Sequence, residues 1–130
     1  MKRNINLIVW HCSDSDNPNH DNVETITKWH IERGFATIGY HFLITKDGRV
    51  HKGRDLDAIG AHVKGHNSRS IGICLTGRDK FSKEQKTALK ELTERLLESY
   101  NLDWTNVKLH NELDVNKTCP NFKREDILNP

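Results

Sequence analysis

The sequence predicts an α/β fold in which a mixed central β-sheet is flanked by helices. Short apolar runs of strand length, rich in β-branched residues, alternate along the chain with two segments of helical periodicity. An Asp47-Gly48 dipeptide between two of these runs predicts a tight antiparallel hairpin. A chain of 130 residues is long enough for one hydrophobic core, so we expect a single domain over residues 1–130.

The first half of the chain predicts three strands and one helix. The helix is expected over residues 23–33, because Val23, Ile26 and His30 share one stripe and Gly34 follows as a stop signal. A polar loop rich in Asp, Asn and Ser precedes this helix. The strands are recognised by their apolar, β-branched or aromatic content and cover residues 4–10, 40–45 and 49–52.

The second half predicts a long loop, two strands and the clearest helix of the chain. Residues 53–70 are polar and interrupted by glycine, and a loop of this length in a compact domain is usually functional. A buried strand is expected over 71–76 and a short strand over 107–109. The helix over 82–100 begins with a capping-box pattern at Ser82 and Gln85. The tail from residue 111 onward has little periodicity.

The composition and charge of the chain argue against several classes of protein. The formal net charge of +2 argues against a dedicated nucleic-acid-binding protein. The longest apolar run, Leu7 to Trp10, is far shorter than a membrane helix or a signal-peptide core, so we expect no membrane insertion and synthesis in the cytoplasm. An odd number of cysteines, three, in a chain expected to stay in the cytoplasm favours free thiols or metal ligation over a disulfide framework, and the lack of a Cys-X-X-Cys pair argues against a structural zinc ribbon.

Three side chains suited to zinc follow apolar strands. His11 comes after the first strand, His110 after the last, and Cys119 in the loop beyond it. Two imidazoles and one thiolate would make a three-ligand zinc site with a fourth position for water. Spacing alone leaves an alternative open, in which His11 is a surface histidine and Cys119 an inert buried thiol.

Several blocks of sequence, in order, resemble the type-2 N-acetylmuramoyl-L-alanine amidases. The blocks match the first strand, the central hairpin, the middle loop, the following strand and the closing segment of that family. Within it they are most similar to the small amidase lysozymes, or endolysins, of short-tailed bacteriophages, and peptidoglycan recognition proteins share the fold. The matching blocks are Val9–Ser13, Gly39–Ile44 with Asp47-Gly48, Gly60–Asn67, Ser70–Gly77, and Leu109–Glu112 with Lys117–Phe122.

The resemblance implies a reaction and a set of site residues. The family cleaves the amide between N-acetylmuramic acid and the L-alanine of the peptidoglycan stem. The resemblance implies that His11, His110 and Cys119 are ligands to one zinc ion per chain, and that Tyr40 and Lys117 are the two catalytic residues that assist the metal. Residues 1–130 would then form one zinc amidase domain.

We also expect particular positions or roles for several further side chains. His62 and Asn67, in the glycine-rich loop, are expected to lie on the substrate side, with Asn67 also bracing the loop. Strand alternation predicts that Cys12 points away from the site, and His41 is expected to be structural. Glu112 is expected either to support His110 or to have a structural role.

Two alternatives to the enzyme are carried forward. One is a peptidoglycan-binding module without catalysis, and the other is a regulator that contacts phage RNA polymerase. For the enzyme, the resemblance implies a phage or prophage endolysin that stays in the cytoplasm until release and then acts on the cell wall. We expect a monomer whose partner is the peptidoglycan stem.

Overall fold

A computed structural model describes residues 3–129; Met1, Lys2 and Pro130, at the ends of the expected domain, lie outside the described residues. Five strands form one sheet in the order β3-β2-β4-β1-β5. The strands are β1 (Leu7–Cys12), β2 (Phe42–Ile44), β3 (Val50–Lys52), β4 (Ser70–Leu75) and β5 (Val107–Leu109).

Four α-helices accompany the sheet. They are α1 (Val23–Glu32), α2 (Lys83–Ser99), α3 (His110–Leu113) and α4 (Arg124–Leu128). Single 3-10 turns cover Pro18–His20, Asn67–Arg69 and Trp104–Asn106. Within residues 3–129, the helices are all too short or too polar to cross a membrane.

The sheet is mixed, as the sequence predicts. Strand β1 pairs in parallel with both β4 and β5, and β2 pairs in parallel with β4. The hairpin of β2 and β3 supplies the antiparallel edge. Because β1, β4 and β5 run in the same direction, their carboxyl ends meet at one edge, where ligand sites of α/β sheets commonly form.

Two expected strand boundaries are wrong and one helix was not expected, in ways that bear on the site. Strand β1 continues to Cys12, so His11 lies inside the strand and pairs with Cys74 of β4. Tyr40 precedes β2, and its carbonyl accepts a hydrogen bond from the Arg54 backbone at 3.0 Å. His110 is the first residue of α3, a helix that the aperiodic tail did not reveal, as it did not reveal α4.

One face of the sheet packs against α2. Buried leucines of α2, among them Leu89 and Leu96, belong to the same main hydrophobic cluster as Ile8 and Trp10 of β1. The indole of Trp10 donates to the Thr93 hydroxyl at 3.1 Å. The predicted capping box of α2 is present. Burial of these side chains stabilises the packing of α2 against β1.

The opposite face of β1 supports the site. Leu7 and Val9 alternate with the residues that face α2, and they pack against Val63 of the long loop. The Arg3 guanidinium holds this loop by donating to the carbonyls of Leu56 at 2.9 Å and Ser70 at 2.8 Å. His11, two residues beyond Val9, shares this loop-covered face.

Two buried histidines predict a loss of stability in mild acid. His30 and His41 each accept a backbone N–H at Nδ1, from Gly39 at 2.7 Å and Gly72 at 3.1 Å, which requires a neutral ring. Burial is the main cause that lowers the pKa of each from 6.5 to about 4. The unfolded chain therefore binds more protons than the folded protein as the pH falls from 6.5 to about 4. We expect the free energy of unfolding to fall there by up to about 1.4 kcal/mol per pH unit for each histidine.

The control for this effect is the variant His30→Asn. Its free energy of unfolding is measured in urea at several pH values, beside that of the wild type. Asparagine keeps a side-chain oxygen near the position of Nδ1 but does not titrate. The variant should show a shallower dependence of unfolding free energy on pH than the wild type, whatever its absolute stability. Equal slopes for the two proteins would show that His30 does not stay neutral in the folded state.

Candidate functional site

An open groove of about 890 Å³ lies at the carboxyl edge of the parallel strands. It brings together all of the site residues expected from sequence except His11, which lies beneath it and contacts its lining. The expected residues that line the groove are Tyr40, His62, Asn67, His110, Lys117 and Cys119. The sheet therefore gathers side chains that are widely separated in sequence.

The two histidines expected as metal ligands face each other. His11 Nδ1 lies 3.1 Å from His110 Nδ1. The strand pairing produces this approach: Trp10 pairs with Leu109, and the residue that follows each of them in the chain is one of the two histidines. His11 is almost fully buried at 1% exposure.

The surroundings keep both rings neutral. Burial, followed by the neighbouring His62 and His110, lowers the pKa of His11 well below its usual value. Burial and then the charge of Lys117 lower the pKa of His110. A histidine binds metal through the lone pair of the neutral ring, so this environment suits a ligand role.

Cys119 lies in the same groove but contacts Cys12 and not the histidine pair. Its Sγ accepts a hydrogen bond from the Cys12 backbone N–H at 3.0 Å and lies 3.1 Å from the Cys12 Sγ. Within residues 3–129, no three His, Cys, Asp or Glu side chains are grouped to hold a metal ion. The structure thus brings two of the three expected ligands, His11 and His110, together. The third, Cys119, lies beside Cys12, the residue that follows His11.

Cys12 lines the groove as well, which the sequence did not predict. Alternation along a strand places Cys12 on the face opposite His11. Cys12 is the last residue of β1, however, and at the strand's end its thiol meets the segment that carries Cys119. The expectation that Cys12 lies apart from the site residues is therefore wrong.

Tyr40 is fixed between aromatic rings. Its ring centroid lies 4.9 Å from that of His11 and 5.1 Å from that of His30. Burial, with the thiols of Cys74 and Cys119, raises the pKa of Tyr40 well above its usual value. The phenol therefore remains protonated and can donate a hydrogen bond, but it is a poor general base.

Lys117 lies on the exposed side of the groove. Its backbone N–H donates to the Asp114 carbonyl at 3.0 Å, in a turn between α3 and Cys119. After burial, the charge of its ammonium is the next cause that lowers the pKa of His110. A cation in this position can stabilise negative charge that develops in the groove.

His62 and Asn67, expected to face substrate, make their hydrogen bonds within the protein. His62 Nδ1 lies 2.8 Å from His11 Nε2, and His62 Nε2 lies 3.1 Å from the Ser70 hydroxyl. Asn67 Oδ1 accepts the backbone N–H groups of His62 and Val63, each at 2.9 Å. Asn67 therefore braces the loop as expected, and His62 is bonded to the neighbouring histidine.

The structure also describes the roles of three other residues. His41 is structural, as expected, because its ring bonds the Gly72 backbone. Glu112 accepts from the Leu109 N–H at 2.7 Å and from Arg124 at 2.8 Å, so it caps α3 and does not contact His110. Sequence analysis missed His30 as part of the groove, although its place on the apolar stripe of α1 was the available signal.

Comparison with known proteins shows the family. The family model Amidase_2, N-acetylmuramoyl-L-alanine amidase, matches residues 1–122. The endolysin of Klebsiella phage KP32 is 38% identical over an alignment 130 residues long. This alignment covers 93% of this chain and 83% of that protein.

Solved structures show the same fold. The endolysin amidase LysCS from Clostridium intestinale URNW superposes with a TM-score of 0.86 and is 35% identical, with 96% of this chain and 82% of that chain covered. A mutant of the Drosophila recognition protein PGRP-LB, in complex with tracheal cytotoxin, has a TM-score of 0.78 and 25% identity, with 92% and 77% covered. The α/β fold expected from sequence is therefore confirmed, and the chain belongs to the N-acetylmuramoyl-L-alanine amidase family.

Proposed function

We propose that this peptidoglycan amidase is zinc-dependent, with His11, His110 and Cys119 as the ligands to one zinc ion. Residues 1–130 would form a single catalytic domain that hydrolyses the amide between N-acetylmuramic acid and L-alanine. The observation that carries this proposal is the separation of 3.1 Å between the Nδ1 atoms of His11 and His110.

This separation fits a shared metal ion. Two nitrogens bound at 2.0–2.1 Å to a tetrahedral zinc ion lie about 3.3 Å apart. Both rings are kept neutral by burial, and the Cys119 thiol hydrogen-bonds to the residue next to His11. Two imidazoles and one thiol are a donor set of the kind that zinc enzymes use.

The groove supplies the remaining groups that amide hydrolysis needs. Zinc at the histidine pair would lower the pKa of a water molecule to about 7 and so provide hydroxide at neutral pH. Tyr40, which remains protonated, would donate a hydrogen bond to the carbonyl oxygen of the scissile amide. The Lys117 ammonium would stabilise the negative charge that this oxygen acquires in the tetrahedral transition state, an effect of about 3–4 kcal/mol for one such donor.

The relatives support peptidoglycan as the substrate and lysis as the biological role. Curated relatives that match nearly all of this chain are phage endolysins. Recognition proteins of the same fold have been solved with tracheal cytotoxin bound. We therefore propose an endolysin that reaches the cell wall after release from the cytoplasm of the infected cell.

The type of bond cleaved is the first prediction to test. Incubation of zinc-loaded protein with purified peptidoglycan should produce new alanine amino termini without new reducing sugar ends. End-group labelling measures the two products separately. Reducing ends would indicate a glycosidase and contradict the proposal. Binding of peptidoglycan without either product would instead favour the non-catalytic module.

The second prediction concerns the third ligand. Cys119→Ser should lose bound zinc and hydrolysis while its thermal unfolding remains close to that of the metal-free wild type, because the main core lies on the other face of the sheet. Elemental analysis should give one zinc per wild-type chain. Cys74→Ala, which removes a buried thiol outside the proposed ligand set, is the control and should retain zinc. Full zinc content in Cys119→Ser would remove this residue from the ligand set.

The third prediction separates catalysis from metal binding. Lys117→Ala should keep its zinc but lower the rate of hydrolysis by roughly 100- to 1,000-fold, since one transition-state donor is lost. Lys83→Ala, which removes an exposed charge from α2 on the far face of the sheet, controls for net charge and should retain the wild-type rate. Loss of zinc from Lys117→Ala would show that the lysine supports the metal site instead.

A further inference from the structure

A chain of hydrogen bonds runs from the histidine pair into the protein interior. His11 Nε2 lies 2.8 Å from His62 Nδ1, and His62 Nε2 lies 3.1 Å from the Ser70 hydroxyl. Ser70 is fully buried at the start of β4, and His62 is only 9% exposed. Both ring nitrogens of His62 are thus used inside the protein, on the side of His11 remote from His110.

The fold makes a fitted place for the His62 ring. A Cβ atom at Gly72 would lie 2.6 Å from His62 Cγ, so the ring rests directly on the backbone of β4. The Asn67 side chain holds the backbone of His62, and the adjacent Val63 is packed against β1. A ring confined in this way can hold the orientation of its neighbour.

The hydrogen bonds have one direction that suits a metal ligand at His11. A lone pair on His11 Nδ1, directed toward His110, requires the ring proton to be on Nε2. That N–H then donates to His62 Nδ1, and the N–H at His62 Nε2 donates to Ser70. In this assignment His11 Nε2 and both ring nitrogens of His62 each have a hydrogen-bond partner of the right kind.

We propose that His62 is a positioning residue for His11: it fixes the ring orientation and the Nε2–H tautomer that leave Nδ1 free to bind metal, and Ser70 in turn orients His62. This inference rests on the proposed zinc site. It assigns His62 a role through another side chain in place of the substrate contact expected from sequence.

A pair of variants with nearly the same shape tests this role. His62→Asn presents an oxygen close to the position of Nδ1 and can still accept from His11, whereas His62→Leu cannot. Zinc affinity is measured by competition with a chromophoric chelator, beside thermal unfolding of the metal-free proteins. We expect His62→Leu to weaken zinc binding by about 10- to 100-fold and His62→Asn to keep most of the wild-type affinity.

The outcomes distinguish this inference from the function on which it rests. If His62 only filled space, both variants would bind zinc equally, and that result would overturn the inference. Imidazole ¹⁵N spectra give a second readout: His11 should be the Nε2–H tautomer in the wild type and in His62→Asn, and the Nδ1–H form in both would also overturn it. Absence of zinc binding by the wild type would overturn the proposed metal site and this inference together.

Discussion

The parallel pairing of β1 with its two neighbours is the constraint on which the site depends. The register that sets Trp10 beside Leu109 brings the following residues, His11 and His110, together across the edge of the sheet. A shift of one residue would turn every side chain of β1 to the other face and separate this pair. The packing of Trp10 and Ile8 against α2 therefore fixes the register, and with it the geometry of residues that never touch that helix.

Neutral histidines are the second feature that shapes the molecule. His11, His30, His41 and His62 are all buried, and each meets a polar partner that a neutral imidazole can satisfy. Within residues 3–129, every buried side-chain nitrogen and oxygen has a hydrogen-bond partner. A satisfied polar network of this kind is rigid, and it is costly to protonate because the charged form has neither solvent nor a counter-ion. The neutral rings that would serve a metal also make the fold sensitive to acid.

Periodicity predicted the parts of this structure that bury apolar side chains in a regular pattern. Helix α2, with its N-cap at Ser82, was predictable from a repeat of apolar residues every three or four positions, and β4 from a short continuous apolar run that is buried along its whole length. The burial of His62 was not predictable, because a polar residue in a glycine-rich loop has the local pattern of a solvated turn. It is buried by contacts with His11 of β1, which is distant in sequence, and with Ser70 and Gly72 of β4, a strand whose packing against the loop no local pattern reports. Helix α3 was missed for a related reason: a helix of four residues is too short to show periodicity.

The proposed site combines a rigid part with a part that the sheet does not hold. His11, His62 and Tyr40 are fixed by strands and packed rings, whereas Lys117 and Cys119 lie on the segment between α3 and α4, outside regular structure. Groups fixed before the reaction stabilise developing charge without the cost of reorganisation, which suits the Tyr40 hydroxyl. The segment after α3 instead carries both the exposed cation and the third thiol, so its conformation determines whether charge stabilisation and the complete ligand set are present together. A change in the backbone conformation of that segment should therefore affect metal binding and turnover jointly, whereas replacement of the Lys117 side chain alone removes only the charge, and the pairing of β1 with β5 keeps the two histidines together.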